Sequence, residues 1–341
     1  MKNILVTGGA GYIGSHTVVE LINSGYNPII IDDFRNSDPS ILDGIEKITN
    51  KKQVFYKIDI CNKEALKTVF TENKIEGIIH FAAYKAVGES VAFPLKYYSN
   101  NLVSLTNILE CMIDYSVDKL VFSSSCTVYG EPIGIKEVSE NSLKAKPSSP
   151  YGNSKLISEN IIEDTFFANP HLQTICLRYF NPVGAHPSGN IGELPQGKPN
   201  NLLPFVTQTA MGKQDKLMVF GKDYPTIDGT CIRDYIHVVD LAKAHVKAIN
   251  FLETRDQGLN EAINIGTGKG TSVLEIIQKF EEISNQKLNW EFGERRAGDV
   301  VEIFANARKS LKLLNWKAEL TVDDAIKDAW NWENQLKKFN A

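Results

Sequence analysis

Ile4-Leu5-Val6-Thr7-Gly8-Gly9-Ala10-Gly11-Tyr12-Ile13-Gly14, residues 4–14, sets an apolar, β-branched run directly against a glycine-rich turn. The residues that follow keep a helical period, with Ile13, Val18, Leu21 and Ile22 on one face. Strand, glycine turn and helix in that order make a phosphate cradle with G-x-x-G-x-x-G spacing. Gly8 permits the tight turn, Gly11 lets backbone approach a pyrophosphate, and Gly14 lets helix and strand pack closely. The free N–H groups of Tyr12, Ile13 and the rest of the first helical turn face the anion. A second strand ends in Ile30-Ile31-Asp32-Asp33, with Asp32 eighteen residues beyond Gly14. An acid there accepts hydrogen bonds from a ribose 2′-hydroxyl and repels a 2′-phosphate, which favours NAD over NADP. Arg35 nearby is a cation that could serve such a phosphate.

Outward from this unit, short strands alternate with helix-period segments. Strands are expected at 3–7, 28–32, 53–59, 77–82, 119–124 and 173–179, and helices at 12–24, 62–71, about 94–115 and 151–168. This alternation predicts an α/β fold, a Rossmann-type doubly wound parallel sheet. Residues 181–201 carry four prolines and four glycines, so a long loop is expected there, functional or marking a lobe boundary. Beyond it the pattern gives helices near 201–211, 238–253 and 272–285, strands at 217–220, 234–237, 261–265 and 288–292, and two terminal helices. The expected division is a dinucleotide-binding domain over 1–180, to which 234–264 returns, and a smaller C-terminal α/β substrate-binding lobe made of 181–233 and 265–341.

Composition narrows the function classes. Of the 341 residues 43% are hydrophobic and 23% charged, which excludes a disordered or fibrous chain. A formal charge of −4 gives no bulk attraction for nucleic acid or anionic lipid, so an anionic ligand must be held by local geometry. The five cysteines form no C-x-x-C pair and the six histidines no H-E-x-x-H, so neither a disulfide framework nor a metal site is expected. No signal-peptide core or membrane-length apolar run is read, and a cytoplasmic protein is the expectation.

Two further segments carry chemistry. Pro150-Tyr151-Gly152-Asn153-Ser154-Lys155 opens a helix, and Tyr151 and Lys155 at i and i+4 project from one face. A phenol acting as a base near pH 7 needs a shift from about 10 costing roughly 4 kcal/mol. An ammonium about 4 Å away supplies about that much at an effective dielectric near 20. The strand Lys119–Phe122 runs into Ser123-Ser124-Ser125, placing hydroxyls at the carboxyl edge of a parallel strand, where ligands of open α/β sheets bind. Ser125 can then hold a substrate hydroxyl while Tyr151 takes its proton. No G-x-S-x-G elbow suggests a serine hydrolase.

Taken together with HFAAYKAVGES at 80–90, FSSSCTVYG at 122–130, RYFNPVGAHPSG at 178–189, PNNLLP at 199–204, FGKDYPTIDGTCIRDYIHVVDLA at 220–242 and RRAGD at 295–299, the chain resembles the extended short-chain dehydrogenase/reductases, and within them the UDP-hexose 4-epimerases. The resemblance implies interconversion of UDP-glucose and UDP-galactose with tightly bound NAD. Tyr151 would take the proton of the sugar 4-hydroxyl, and a 4-keto sugar would turn over in the pocket before reduction on its other face. It implies cofactor contacts at Asp59, Ile60, Phe81, Ala82, Lys85, Asn100, Lys155 and Tyr179, besides the glycine loop and Asp32. UDP-sugar contacts are implied at Phe180, Asn181, Asn201, Leu202, Phe220, Arg233, Arg296 and Asp299, and a homodimer through helices 94–115 and 151–168. Dehydrating relatives carry an acid where Cys126-Thr127 stands, which favours simple epimerisation; a pentose or uronate 4-epimerase and a non-catalytic NAD sensor are the other readings. Ala83 and Tyr84 replace Gly and Leu of many members. Ile303 occupies a position filled in relatives by a bulky Tyr or a small Cys, and leaves room for some turnover of UDP-N-acetylhexosamines.

Overall fold

Strand residues such as Ile4–Thr7, Ile29–Ile31 and Gly77–His80 are buried on both faces rather than alternately, as in a parallel sheet covered on both sides. The computed structural model, which describes residues 1–132, 134, 136–296 and 299–339, contains that sheet. Its strands are β1 (Asn3–Thr7), β2 (Asn27–Ile31), β3 (Val54–Tyr56), β4 (Gly77–His80), β5 (Lys119–Ser123), β6 (Glu137–Val138), β7 (Gln173–Tyr179), β8 (Asn181–Val183), β9 (Leu217–Phe220), β10 (Ile232–Arg233), β11 (Tyr235–His237), β12 (Leu259–Ile265), β13 (Thr271–Ser272), β14 (Trp290–Gly293) and β15 (Glu302–Ala305). The helices are α1 (Tyr12–Asn23), α2 (Ser40–Thr49), α3 (Lys63–Glu72), α4 (Val87–Ala92), α5 (Pro94–Asp114), α6 (Pro150–Ala168), α7 (Leu202–Ala210), α8 (Val238–Glu253), α9 (Val273–Ser284), α10 (Arg308–Leu314) and α11 (Val322–Phe339).

Seven strands form one parallel sheet in the order β12-β7-β5-β4-β1-β2-β3. The chain builds outward from β1 to β3 and then returns to β4 on the other side of β1. The Rossmann-type switch point therefore lies between β1 and β4, where Thr7 is in register with His80. Side chains alternate across the sheet. Ile4 and Val6 join α1, α2 and α8 through Val18, Leu21, Ile45 and Ile249, while Leu5 faces α3, α5 and α6 through Leu66, Leu105 and Ile162.

The later residues make smaller sheets, with order β13-β10-β15-β6, and the pairs β8–β11 and β9–β14. Phe280, Val219, Val206 and Ile326 form their core with α7, α9 and α11. Three local differences from the sequence reading have identifiable causes. Helix α2 occupies a stretch read as irregular; Asp38 Oδ1 accepts from Ser40 N at 2.9 Å to start it, and Ile41 and Ile45 are buried. The strand expected over 53–59 is limited to β3, and Asp59 instead turns the chain by accepting from Cys61 N at 2.9 Å. The strand expected at 234–237 is found as β11, and a separate strand, β10, precedes it across Asp234, whose carboxylate receives the N–H groups of Thr267, Gly268 and Ala305 at 2.9, 3.0 and 3.1 Å. Among the described residues no helix is long and apolar enough to cross a membrane, and no cluster of three or more His, Cys, Asp or Glu is placed to hold a metal ion.

Candidate active site

The glycine turn lies at the carboxyl end of β1. Gly8 has φ +69°, and a Cβ there would meet Ala82 N at 2.9 Å; a Cβ on Gly14 would meet Gly8 O at 2.1 Å. A Cβ on Gly11 would meet only Gly8 O, at 3.1 Å, so the turn is otherwise open to a ligand. The amino terminus of α1, where Tyr12 and Ile13 lie, has no side-chain cap. Asp32 closes the second strand and is half-buried; Oδ2 accepts from Ala10 N at 3.1 Å, and Oδ1 from Phe34 N at 3.0 Å and Ser37 Oγ at 2.7 Å. Burial raises its pKa above the ordinary carboxylate value, and these hydrogen bonds oppose that. Arg35 is not free for a 2′-phosphate: it pairs with Asp33 and Asp59 and donates to Asn100 Oδ1 at 3.0 Å. An open cradle, an uncapped helix start and an acid with its neighbouring cation already paired fit NAD.

Further expected cofactor residues surround this edge. The Ile60 carbonyl accepts from Asn107 at 2.9 Å, the Phe81 ring lies 4.6 Å from that of His245, and Ala82 N donates to Thr7 Oγ1 at 3.4 Å. Tyr12 donates its phenol proton to Gly184 O at 2.7 Å, tying the glycine turn to the chain after β8. Lys85 pairs with Glu193 at 3.0 Å. The same Glu193 oxygen accepts from Asn201 Nδ2 at 2.6 Å, so one carboxylate joins an expected cofactor residue to an expected sugar residue. The sequence reading passed over Glu193 because it lies in a proline-rich loop without a motif.

Helix α6 starts with Ser149 Oγ accepting from Gly152 N at 3.2 Å, which fixes Tyr151 and Lys155 over the end of β5. Both are buried, at 6% and 3% exposure. Ser125 begins a short 3₁₀ turn over Cys126–Tyr129, and its hydroxyl opposes the burial that raises the Tyr151 phenol. Its Oγ accepts from Thr127 N at 3.2 Å and from Thr127 Oγ1 at 3.0 Å. With both lone pairs occupied, Ser125 is left with its proton to donate. Thr127 is thus a functional neighbour whose role the sequence reading missed, although its hydroxyl stands in the quoted segment. Tyr179 bonds Ser123 Oγ at 3.0 Å and also reaches Tyr151.

Lys155 Nζ donates to Ser123 O at 2.6 Å and lies 4.7 Å from the Phe122 ring centre, while burial draws its pKa down to about 8. Burial also pushes the Tyr151 phenol well above its ordinary value, with Ser125 opposing. In the chain alone the lysine is a positioning cation on the strand end, and the phenol stays protonated.

The expected sugar residues come from distant segments. Phe180 and Ile303 are buried in one apolar cluster with Val128, Tyr129, Val138 and Ala305. Asn181 N donates to Asp234 O at 2.9 Å, and Leu202 begins α7 after Asn201. Asp299 pairs with Arg296 at 2.9 Å and Arg233 at 3.8 Å, and Arg296 lies 5.6 Å from the Phe220 ring centre. Two guanidinium groups about one carboxylate suit a diphosphate, whose oxygens they pair bidentately. Ala297 and Gly298 of the RRAGD segment lie outside the described residues.

The model of the NAD dependent epimerase/dehydratase family matches residues 4–266. The chain belongs to this family. A family member from Bacillus subtilis (strain 168), UDP-glucose 4-epimerase, is 50% identical over 331 residues, covering 97% of this chain and 96% of that protein. The crystal structure of UDP-glucose 4-epimerase from Bifidobacterium longum in complex with NAD+ and UDP has a TM-score of 0.94 at 46% identity, covering 98% of each chain. A UDP-glucose-4-epimerase from Stenotrophomonas maltophila with bound NAD and formylated UDP-arabinopyranose has a TM-score of 0.95 at 43% identity, covering 99% of this chain and 100% of that one.

Proposed function

We propose that the chain is a UDP-hexose 4-epimerase, an isomerase that interconverts UDP-glucose and UDP-galactose through a 4-keto sugar. The observation that carries this is the buried Tyr151 together with the buried Ser125, whose hydroxyl lowers the phenol, at the carboxyl edge of β5. Bound NAD supplies reversible acceptance of the C4 hydrogen with its electrons. The glycine turn and the first turn of α1 hold its pyrophosphate, and Asp32 its ribose. Tyr151 takes the 4-hydroxyl proton and returns it; Ser125 aligns that hydroxyl and stabilises the phenolate. Positive charge brought by the oxidised nicotinamide adds to Lys155 in lowering the phenol, which the chain alone leaves high. Arg233 and Arg296 hold the UDP diphosphate, leaving the hexose free to turn. Cys126 and Thr127 supply no carboxylate for dehydration.

In this reading 1–180 with 234–264 bind NAD, and 181–233 with 265–341 form the UDP-sugar lobe. The branched Ile303 leaves room for some UDP-N-acetylhexosamine turnover, and conversion of UDP-glucose with none of UDP-GlcNAc refutes that extension. A homodimer is supported by exposed Val87, Val91, Phe93 and Leu95 on α4 and the start of α5, and Phe167 on α6. A cytoplasmic setting agrees with five free cysteines. The deciding experiment incubates the protein with UDP-galactose without added NAD and follows UDP-glucose by anion-exchange chromatography. Product establishes epimerisation with retained cofactor. None, even after NAD is supplied, points to another nucleotide sugar or a non-catalytic sensor.

A further inference from the structure

Below the catalytic face of α6, one buried carboxylate gathers the strand end that carries Ser125. Glu159 follows Lys155 by one helical turn and is 7% exposed. Its Oε1 accepts from Ser124 Oγ at 2.7 Å and Arg178 Nε at 2.8 Å; Oε2 accepts from Arg178 Nη2 at 2.7 Å and Lys144 Nζ at 3.0 Å. Arg178 continues to Tyr129 at 3.1 Å, and Tyr129 donates to Asn264 Oδ1 at 2.6 Å. A single carboxylate therefore ties β5, β7, β12 and the 3₁₀ turn after Ser125. The geometry points to Glu159 as a positioning residue of the active site: it fixes Ser124, and through it Ser125, and its carboxylate stands one helical turn beyond Lys155 as the counter-charge to that buried ammonium.

The groups that face Lys155 from every side support the second half. Ser123 O on β5 accepts its proton, and the Phe122 ring is uncharged. Burial pulls His80 on β4 down to about 3, with Lys155 adding to the shift, so this histidine is neutral. Burial raises the Cys176 thiol on β7, which stays protonated, as does Tyr151 on the same helix. Burial would likewise neutralise Glu159, but Arg178, Lys144 and Ser124 more than offset it and hold the carboxyl below its ordinary value. Lys155 is lowered by burial and raised first by Cys176 and then by Glu159; because burial keeps the Cys176 thiol protonated, the standing negative charge of the two is the Glu159 carboxylate. Arg178 and Lys144 also converge on Glu159, so removing its charge leaves three cations together.

The inference rests on the epimerase reading for its consequence in turnover, but the titration of Lys155 can be read without it. Glu159→Gln should move the Lys155 signal in ¹³Cε-lysine NMR, assigned by its loss in Lys155→Met, to lower pH by one unit or more. The alkaline limb of kcat should shift the same way while KM for UDP-galactose changes less than threefold. Glu159→Gln/Arg178→Gln removes the cation that the single variant leaves unpaired, and should carry the same direction of shift if the single variant does not fold. Ser124→Ala keeps the carboxylate and should lower kcat about tenfold without moving either titration. A folded variant lacking Glu159 with an unmoved Lys155 titration overturns the charge role. Wild-type kcat in Ser124→Ala overturns the positioning of Ser125. Failure of the wild-type protein to epimerise overturns the functional reading alone, since the NMR titration still tests Glu159.

Discussion

At the residue scale the site depends on two groups that burial works against. Tyr151→Phe removes the proton acceptor but leaves the glycine turn intact. Turnover should fall by about 10²–10⁴-fold while NAD released by denaturation stays at the wild-type ratio. Undiminished turnover would exclude Tyr151 as the base. Lys155 has a folded pKa of about 8 against an ordinary 10.5, so its burial costs stability below pH 8, and that cost fades between pH 8 and 10.5. Lys155→Met should therefore stabilise the cofactor-free protein at pH 7 by about 3 kcal/mol, and by almost nothing above pH 10.5, as read by urea unfolding at both pH values. No gain at pH 7 would show that the hydrogen bond to Ser123 outweighs the burial of charge. Ser125, Tyr151 and Lys155 were legible in the sequence because type and spacing identify them. The Ser125 acceptors, the Lys155 carbonyl partner and the Glu159 network were not, because each joins segments that only the folded sheet brings together.

At the element scale, the glycine turn and α1 were readable because local geometry dictates them. Helix α2 was missed although Ile41, Ile45 and Ile48 keep its period; Gly44 interrupts a short segment and weakens its helical propensity. The break between β10 and β11 could not be read at all, because it is set by Asp234 receiving N–H groups from residues 267, 268 and 305. Close packing in the cradle gives a direct test. A methyl at Gly14 would sit 2.1 Å from Gly8 O, a backbone atom that cannot move without opening the turn. Gly14→Ala should lose the retained NAD and lower the Tm by several degrees, measured by absorbance of the released nucleotide and by calorimetry. Full NAD occupancy in this variant would mean that the turn tolerates a wider approach of helix to strand.

At the scale of the whole molecule, apolar side chains on α4, α5 and α6 stand exposed; Leu95 is 77% and Phe167 69% exposed. A charge on such a face would be buried unpaired in a dimer. Leu95→Asp should shift light-scattering mass from two chains to one at micromolar concentration without loss of secondary structure. A monomeric wild-type protein would instead assign the face to another partner. The sheet that supports the site also has a history in time. β7 ends at Tyr179, and its outer neighbour β12 begins only at Leu259, so 79 residues are made between them. At about 5–20 residues per second, a ribosome takes roughly 4–16 s to cover that interval. During it the seven-residue edge of β7, already carrying Arg178 and Tyr179, stands unpaired in the nascent chain. The strand that later borders the active site is thus the segment most exposed to mispairing during synthesis, and the one a holding chaperone would have most reason to cover.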